Sequence, residues 1–333
     1  MAHLNLNDLF ESFQRLKVLV LGDLMLDRYL YGNVTRISPE APVPIVSWLH
    51  EEDRLGGAAN VALNLKALGA EVFLFGVIGQ DRAGGQFLEL MPQQSLDNQW
   101  IVSSPERMST LKTRIMAGNQ QLLRLDKEQT NPIPASVEIP MCHKIKEVIE
   151  NVPIDAIVIQ DYDKGTLTPT LIARVLKEAQ ERNIPVAVDP KFRNFWLYKN
   201  VDLFKPNLKE VKDALKMAIS PNEQSLRHAS NLIREKLDNR LNFITLSEHG
   251  AYIDDVMSGH LIPTQPRNVA DVCGAGDTVI SIATLALALG LEKEVIAQLA
   301  NLAGGQVVEK PGVVSVDPAQ LKKELLDQLI ARN

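Results

Sequence analysis

LKVLVLGD, residues 16–23, is an aliphatic run too short for a helix and closed by Gly22 and Asp23. A run that is apolar on both faces and bounded by turn residues reads as a buried parallel strand. The same form recurs in EVFLFGVIG (71–79), IDAIVIQD (154–161), IPVAVDP (184–190) and LNFITLS (241–247). Between these runs, Ala58 to Leu68, Thr170 to Arg182, Leu208 to Lys216 and Gln224 to Leu237 carry helical spacing. The alternation predicts an α/β fold, a doubly wound and mostly parallel sheet with helices on both faces.

Two segments break this rhythm, at about residues 28–55 and 107–128. They alternate polar with β-forming residues, and the first holds Pro39, Pro42 and Pro44, which suit edge strands rather than a central sheet. They are expected to build a small β-strand lid over the carboxyl ends of the main strands, where open α/β sheets bind ligands. Residues 1–333 are otherwise expected to form a single domain.

Hydrophobic residues make up 45% of the chain and charged ones 23%, ordinary globular usage. With 35 Lys and Arg against 41 Asp and Glu, the net charge of -6 offers no basic field for nucleic acid or an anionic membrane. Two cysteines, Cys142 and Cys273, make neither a disulfide framework nor a zinc site and fit a reducing cytoplasm. The N-terminus has no signal-peptide pattern, so export is not expected. The longest apolar run, Val279 to Leu291, is shorter than the roughly 20 residues that span a bilayer.

ADVCGAGDTVIS, residues 270–281, carries the chemistry. Gly274, Ala275 and Gly276 precede a helical run from Asp277 to Leu289, so their amides would converge at a helix N-terminus, a natural anion site. A dinucleotide fingerprint would need glycine where Val279 stands, and no Walker P-loop pattern occurs. Asp277 then has two readings: a cap or dipole partner of its helix, or a base that takes a hydroxyl proton as that hydroxyl attacks a phosphoryl group held by the amides.

These residues, together with RLGGAANVALNLKALG (54–69), resemble the ribokinase-like carbohydrate kinase family over nearly the whole chain. The resemblance implies ATP-dependent phosphorylation of a sugar, with Asp277 as base and Gly274, Ala275 and Gly276 as anion hole. Gly57 and Asn60 would hold the sugar, and Asp23 would accept its hydroxyls, although an Asp at that place also caps turns. Asn207 and Glu210 in FKPNLKE would order Mg2+ through its waters; the same pair spells a capping box. Thr245, Ser247 and Gly250 would meet the nucleotide phosphates, and Asn301 and Gly304 would line the adenine slot. A monovalent cation such as K+ beside the hole would match Asp271 and Ser315, with Cys273 where some members have Thr. The family often dimerises through lid strands, so a homodimer is expected.

Residues 22–46 are similar to the branch of the family that phosphorylates heptose 7-phosphate at O1 to the 1,7-bisphosphate, a step towards ADP-heptose and the lipopolysaccharide inner core. Kinases of fructose 1- or 6-phosphate and a non-catalytic sugar- or nucleotide-binding regulator are the alternatives. No His-x-Gly-His nucleotidyltransferase signature occurs, so a kinase without a fused adenylyltransferase is expected. A phosphorylated sugar needs cations in an acidic protein. The candidates are Arg28, Arg36, Lys112 and Arg114 on the lid and Lys191 after a core strand, with Arg114 and Lys191 foremost and Asn33 beside them on the lid.

Overall fold

A computed structural model of the chain describes residues 5–118 and 120–331. The first half runs α1 (Leu6–Phe13), β1 (Lys17–Gly22), β2 (Leu24–Ile37), β3 (Pro44–Gly57), α2 (Ala58–Ala67), β4 (Glu71–Gly79), α3 (Arg82–Gln93), β5 (Ile101–Ser104), β6 (Thr110–Ala117) and β7 (Gln120–Lys127). After these come α4 (Ala135–Asn151), β8 (Ala156–Gln160), α5 (Pro169–Glu181), β9 (Val186–Asp189), β10 (Leu203–Phe204), α6 (Leu208–Leu215) and α7 (Glu223–Leu237). The chain continues through β11 (Leu241–Thr245), β12 (Ala251–Asp254), β13 (Gly259–Ile262), α8 (Ala275–Ala288), α9 (Lys293–Val307) and α10 (Pro318–Ala331).

Nine strands form the main sheet in the order β13-β12-β11-β10-β9-β8-β1-β4-β5. Every pair is parallel except β11–β12 and β12–β13. Side chains alternate across a strand, and β1 shows the result. Val18 and Val20 enter a core with residues of α1, α2, α3, α8, α9 and α10, while Leu19 and Leu21 enter a second core with residues of α4, α5, α6 and α7. Both faces are therefore covered, which is why these strands read as unbroken apolar runs.

The sequence does not mark β5, β10, β12 and β13. β10 has two residues and the others four each, too few for a periodic signal to rise above the flanking loops. The antiparallel β12–β13 edge follows from a tight connection, since only a turn separates the two strands.

The segments that break the rhythm form a separate four-stranded sheet, order β3-β2-β6-β7. Pro44 is the first residue of edge strand β3, and Pro39 and Pro42 lie in the turn before it. The register pairs Asp27 with Arg54 and Lys112, and Tyr29 with Glu52 and Arg114, so these side chains share one face. That face meets the main body: Arg54 donates to the carbonyls of Pro311 and Val313, and Arg114 reaches Cys273 Sγ at 3.6 Å.

Candidate active site

The carboxyl ends of β1, β8, β9, β10 and β11 bring Asp23, Tyr162, Asp189, Lys205 and Thr245 to one edge of the sheet, and the N-terminus of α8 joins them through Asp277 and Gly276. Gly274 is the N-cap of α8 at φ 79°, and no side chain caps the helix. A Cβ on Gly274 would come within 2.8 Å of Asn60 Nδ2, and one on Gly276 within 3.6 Å of Asp189 Oδ2 and 3.9 Å of Lys205 Nζ. Glycine lets the backbone approach these groups and leaves first-turn amides without intrahelical acceptors.

Asp277 does not cap its own helix. Its Oδ2 accepts from Asn60 Nδ2 at 2.8 Å and its Oδ1 from the Tyr162 hydroxyl at 2.7 Å. Only 3% of the residue is exposed. Burial pushes its carboxyl up to about 7, against the bonds from Asn60 and Tyr162, while Asp189 adds to the rise and Lys205 opposes it. The Ala275 amide donates to the Val272 carbonyl at 3.3 Å, and no side chain caps the helix start; a carboxyl poised near neutrality at such a helix N-terminus suits proton abstraction.

Asp189 accepts from Lys205 Nζ at 2.9 Å and Gln160 Nε2 at 3.1 Å. Lys191 pairs with Glu210 and lies 5.5 Å from the Tyr162 ring centre. Burial works against the charged ammonium, but Asp189 and Glu210 raise Lys191 above its ordinary value. Asn207 and Glu210 do form the capping box of α6, and Asn207 bridges to Thr245. Burial and Asp189 raise the Glu210 carboxyl, with Lys191 opposing.

Several candidate residues are engaged by partners of their own or turned to another face. Asp23 is fully buried, and its carboxylate accepts the amides of Tyr162 (2.9 Å), Lys164 (3.0 Å) and Thr166 (3.0 Å); it caps a turn. Arg28 adjoins Asp27 in β2, so alternation turns it to the opposite face, where it binds Asp53 and Gln86. Asn33 and Arg36 are exposed on β2 beyond Gly32, the last residue paired to β6. Arg114 is taken up by Asp27 at 2.5 Å, and Lys191 by Glu210. Of the five cations, Arg28, Arg114 and Lys191 are held in ion pairs, whereas Arg36 and Lys112 have none among the described residues.

Gly57, at φ 62°, starts α2, and a Cβ there would strike the Asp23 carbonyl at 2.4 Å. Ser247 (φ 54°) and Gly250 (φ 88°) make the turn from β11 into β12. Gly304 packs α9 on α8, where a Cβ would lie 2.7 Å from Val279, so it does not face the neighbouring cavity. That cavity, about 400 Å³, is lined by Asn301 and Gly305 of α9 together with Pro263, Thr264, Arg267 and Glu324. Asp271 accepts from the amides of Cys273 and Gly312, which outweigh its burial and hold it below the usual carboxylate range. Ser315 is half-buried in the following loop.

Asp27, Tyr162, Asp189 and Lys205 were not singled out from sequence. Tyr162, Asp189 and Lys205 sit at or just past the ends of β8, β9 and β10, the positions where a doubly wound sheet places its ligand groups.

A sequence model for pfkB family carbohydrate kinases matches residues 15–320. The chain belongs to the pfkB family of carbohydrate kinases. Membership makes it a phosphotransferase with a sugar hydroxyl as acceptor, and kinases of this family use ATP and Mg2+. Bifunctional protein HldE of Geobacter metallireducens is 42% identical over 323 residues, which is 96% of this chain and 65% of that protein. The chain thus spans about two thirds of the length of this relative. Phosphofructokinase-2 from Escherichia coli, solved with fructose-6-phosphate, superposes with a TM-score of 0.75 at 18% identity, covering 93% of this chain and 99% of that one. Arabidopsis thaliana ribokinase, solved with ribose and ATP, superposes with a TM-score of 0.73 at 16% identity over the same shares. The α/β fold with its mostly parallel sheet is thus ribokinase-like. Among the described residues no helix is long and apolar enough to cross a membrane.

Proposed function

We propose that this pfkB-family chain transfers the γ-phosphoryl group of ATP to O1 of D-glycero-D-manno-heptose 7-phosphate. One observation carries the transfer: a buried carboxyl, Asp277, beside the uncapped amides of α8 and the ammonium of Lys205. The O1 proton passes to Asp277, the O1–Pγ bond forms, and the bond from Pγ to the bridging oxygen breaks, its electron pair leaving with ADP. The amides of Gly274, Ala275 and Gly276 meet the charge on the transferring oxygens. Lys205 and Lys191 supply positive charge on the nucleotide side, and the four-stranded sheet, as lid, excludes water that would otherwise hydrolyse ATP. The cavity beside Asn301, Gly305 and Arg267 takes the adenine.

Among the described residues no three His, Cys, Asp or Glu side chains group as a metal site. Asn207 and Glu210 are nonetheless hard oxygen donors at a strand end, and they fit a Mg2+ ion that keeps most of its waters. When bound, the ion neutralises nucleotide phosphate charge. Asp271 and Ser315 are the groups for a monovalent cation. The heptose acceptor rests on the likeness of residues 22–46 and on the relative named HldE, and it makes the chain a member of ADP-heptose and lipopolysaccharide inner-core synthesis, at work in the cytoplasm where ATP is supplied. ADP release with heptose 7-phosphate is expected to exceed that with fructose 6-phosphate and fructose 1-phosphate by at least about tenfold in kcat/KM, since a site built for one hydroxyl pattern leaves buried polar groups unpaired with another. Equal rates across the panel refute the heptose assignment, and ATP binding without ADP release refutes catalysis.

The chain is proposed to dimerise through the four-stranded sheet. Val34, Ile37, Trp48, Leu49, Leu123 and Leu125 are exposed there, Trp48 by 66%, and apolar surface on a sheet with long edges favours pairing. Sedimentation is expected to give a dimer, with Trp48→Lys/Leu125→Lys a monomer; a parent that sediments as a monomer at micromolar concentration refutes this.

A further inference from the structure

Asp277 has two oxygens and two donors. Asn60 comes from α2, within the segment already tied to sugar binding. The other donor, Tyr162, lies on the loop after β8. Its placement is elaborate. The fully buried Asp23 accepts the amides of residues 162, 164 and 166. Asp161, buried beside it, accepts the Asp163 amide at 2.8 Å and is itself held by the Tyr198 hydroxyl (2.5 Å) and Asn194 Nδ2 (3.0 Å). Two buried carboxylates are thus spent on shaping one short loop, an arrangement that costs desolvation. Its product is a phenol aimed at the base.

We infer that Tyr162 is the positioning residue of the base: its hydroxyl fixes the plane of the Asp277 carboxylate and favours the ionised form, leaving lone pairs open to the sugar hydroxyl. This rests on the reading of Asp277 as base. Each carboxylate oxygen carries two lone pairs, so the single bonds from Asn60 and Tyr162 leave room for a third donor. Two donors from different elements hold the carboxylate against rotation, which a single donor cannot do. A bond to the charged form also makes that form easier to keep in a buried site. The other groups that face Asp277 or Tyr162 are Asp189 at the end of β9, Lys191 beyond it, Lys205 after β10 and Asp27 from the small sheet. Of these, Asp189 opposes ionisation of Asp277 and Lys205 favours it, and Tyr162 and Asn60 are the neutral donors that work against its burial.

The test is Tyr162→Phe, which keeps the ring and removes only the donor. Asp23 still binds the loop through backbone amides, so folding is expected to be retained, and a melting curve checks it. Steady-state kinetics with Mg-ATP and heptose 7-phosphate, or fructose 6-phosphate if the panel favours it, are measured from pH 5.5 to 9. The acid limb of kcat/KM is expected to move up by about one pH unit, cutting the rate at pH 6 about tenfold. The plateau of kcat falls about threefold to tenfold, and KM for both substrates stays within about twofold. A merely structural role would lower activity without moving the limb. A profile that overlays the parent's, or a loss confined to KM, overturns the inference. Asp277→Asn separates the two levels: if that variant keeps its turnover, the base itself is wrong, whereas a dead Asp277→Asn with an unshifted Tyr162→Phe refutes only the role of Tyr162.

Discussion

Asp277→Asn is expected to lower kcat about a thousandfold while KM for the sugar moves less than about threefold, the loss typical of removing a general base. The amide keeps the volume and one acceptor oxygen, so Asn60 or Tyr162 retains its bond and the rotatable phenol can turn to accept from the new amide. In the parent, kcat/KM should rise about tenfold per pH unit and level above about 7, because burial pushes Asp277 up to about 7 and only the carboxylate can take the proton. The variant has no such limb. The same shift has an opposite sign for stability. A carboxyl whose folded value is raised contributes most below its unfolded value, and that contribution declines as pH rises through the folded one. Above pH 7 the ionised, buried Asp277 therefore costs the fold on the order of a few kcal/mol at about 1.4 kcal/mol per unit, and the Asn variant should melt higher than the parent at pH 8. Activity lost with stability gained is a joint signature of a strained functional group. A variant that stays active, or that melts lower at pH 8, contradicts the account of Asp277.

The frame of the fold was legible because buried parallel strands announce themselves: LKVLVLGD and EVFLFGVIG need no alternation when both faces are covered. The broken rhythm at residues 28–55 and 107–128 likewise located the second sheet. The site was half legible. GAGD, Asn60 and the Asn207–Glu210 pair lie in contiguous motifs, and the structure gathers Asp277, Asn60 and Gly274 within direct contact. What sequence did not disclose was pairing. Whether an Asp such as Asp23 faces a ligand or three amides depends on how the loop at 162–166 returns to it, a contact 139 to 143 residues away in sequence. Whether Arg28 or its neighbour faces the site depends on strand parity, which a stretch of mixed polar residues leaves unmarked. Tyr162 escaped notice because the strand before it, not the residue itself, carries the signal.

Arg114 poses the sharpest version of this question, because as a cation on the small sheet it has two incompatible uses. As a holder of the substrate's phosphate it would be free until the sugar arrives, and Arg114→Met would raise KM for the phosphosugar with little change in folding. The structure instead seats Arg114 Nη1 2.5 Å from Asp27 Oδ1, with the two side chains only 6% and 4% exposed, and sets the guanidinium 5.1 Å from the Tyr29 ring centre. Removing one partner of a buried pair leaves the other charge without compensation, which costs about 3–5 kcal/mol. Arg114→Met is therefore expected to lower the melting temperature by several degrees with or without ligand. The double variant Arg114→Met/Asp27→Leu should recover most of that loss, since replacing a buried ion pair with apolar groups of similar volume is often neutral. Thermal melts of the two variants decide the matter: a stable single variant with raised KM returns Arg114 to the substrate phosphate, whereas an unstable single variant restored by the second substitution makes the arginine the counter-ion of Asp27.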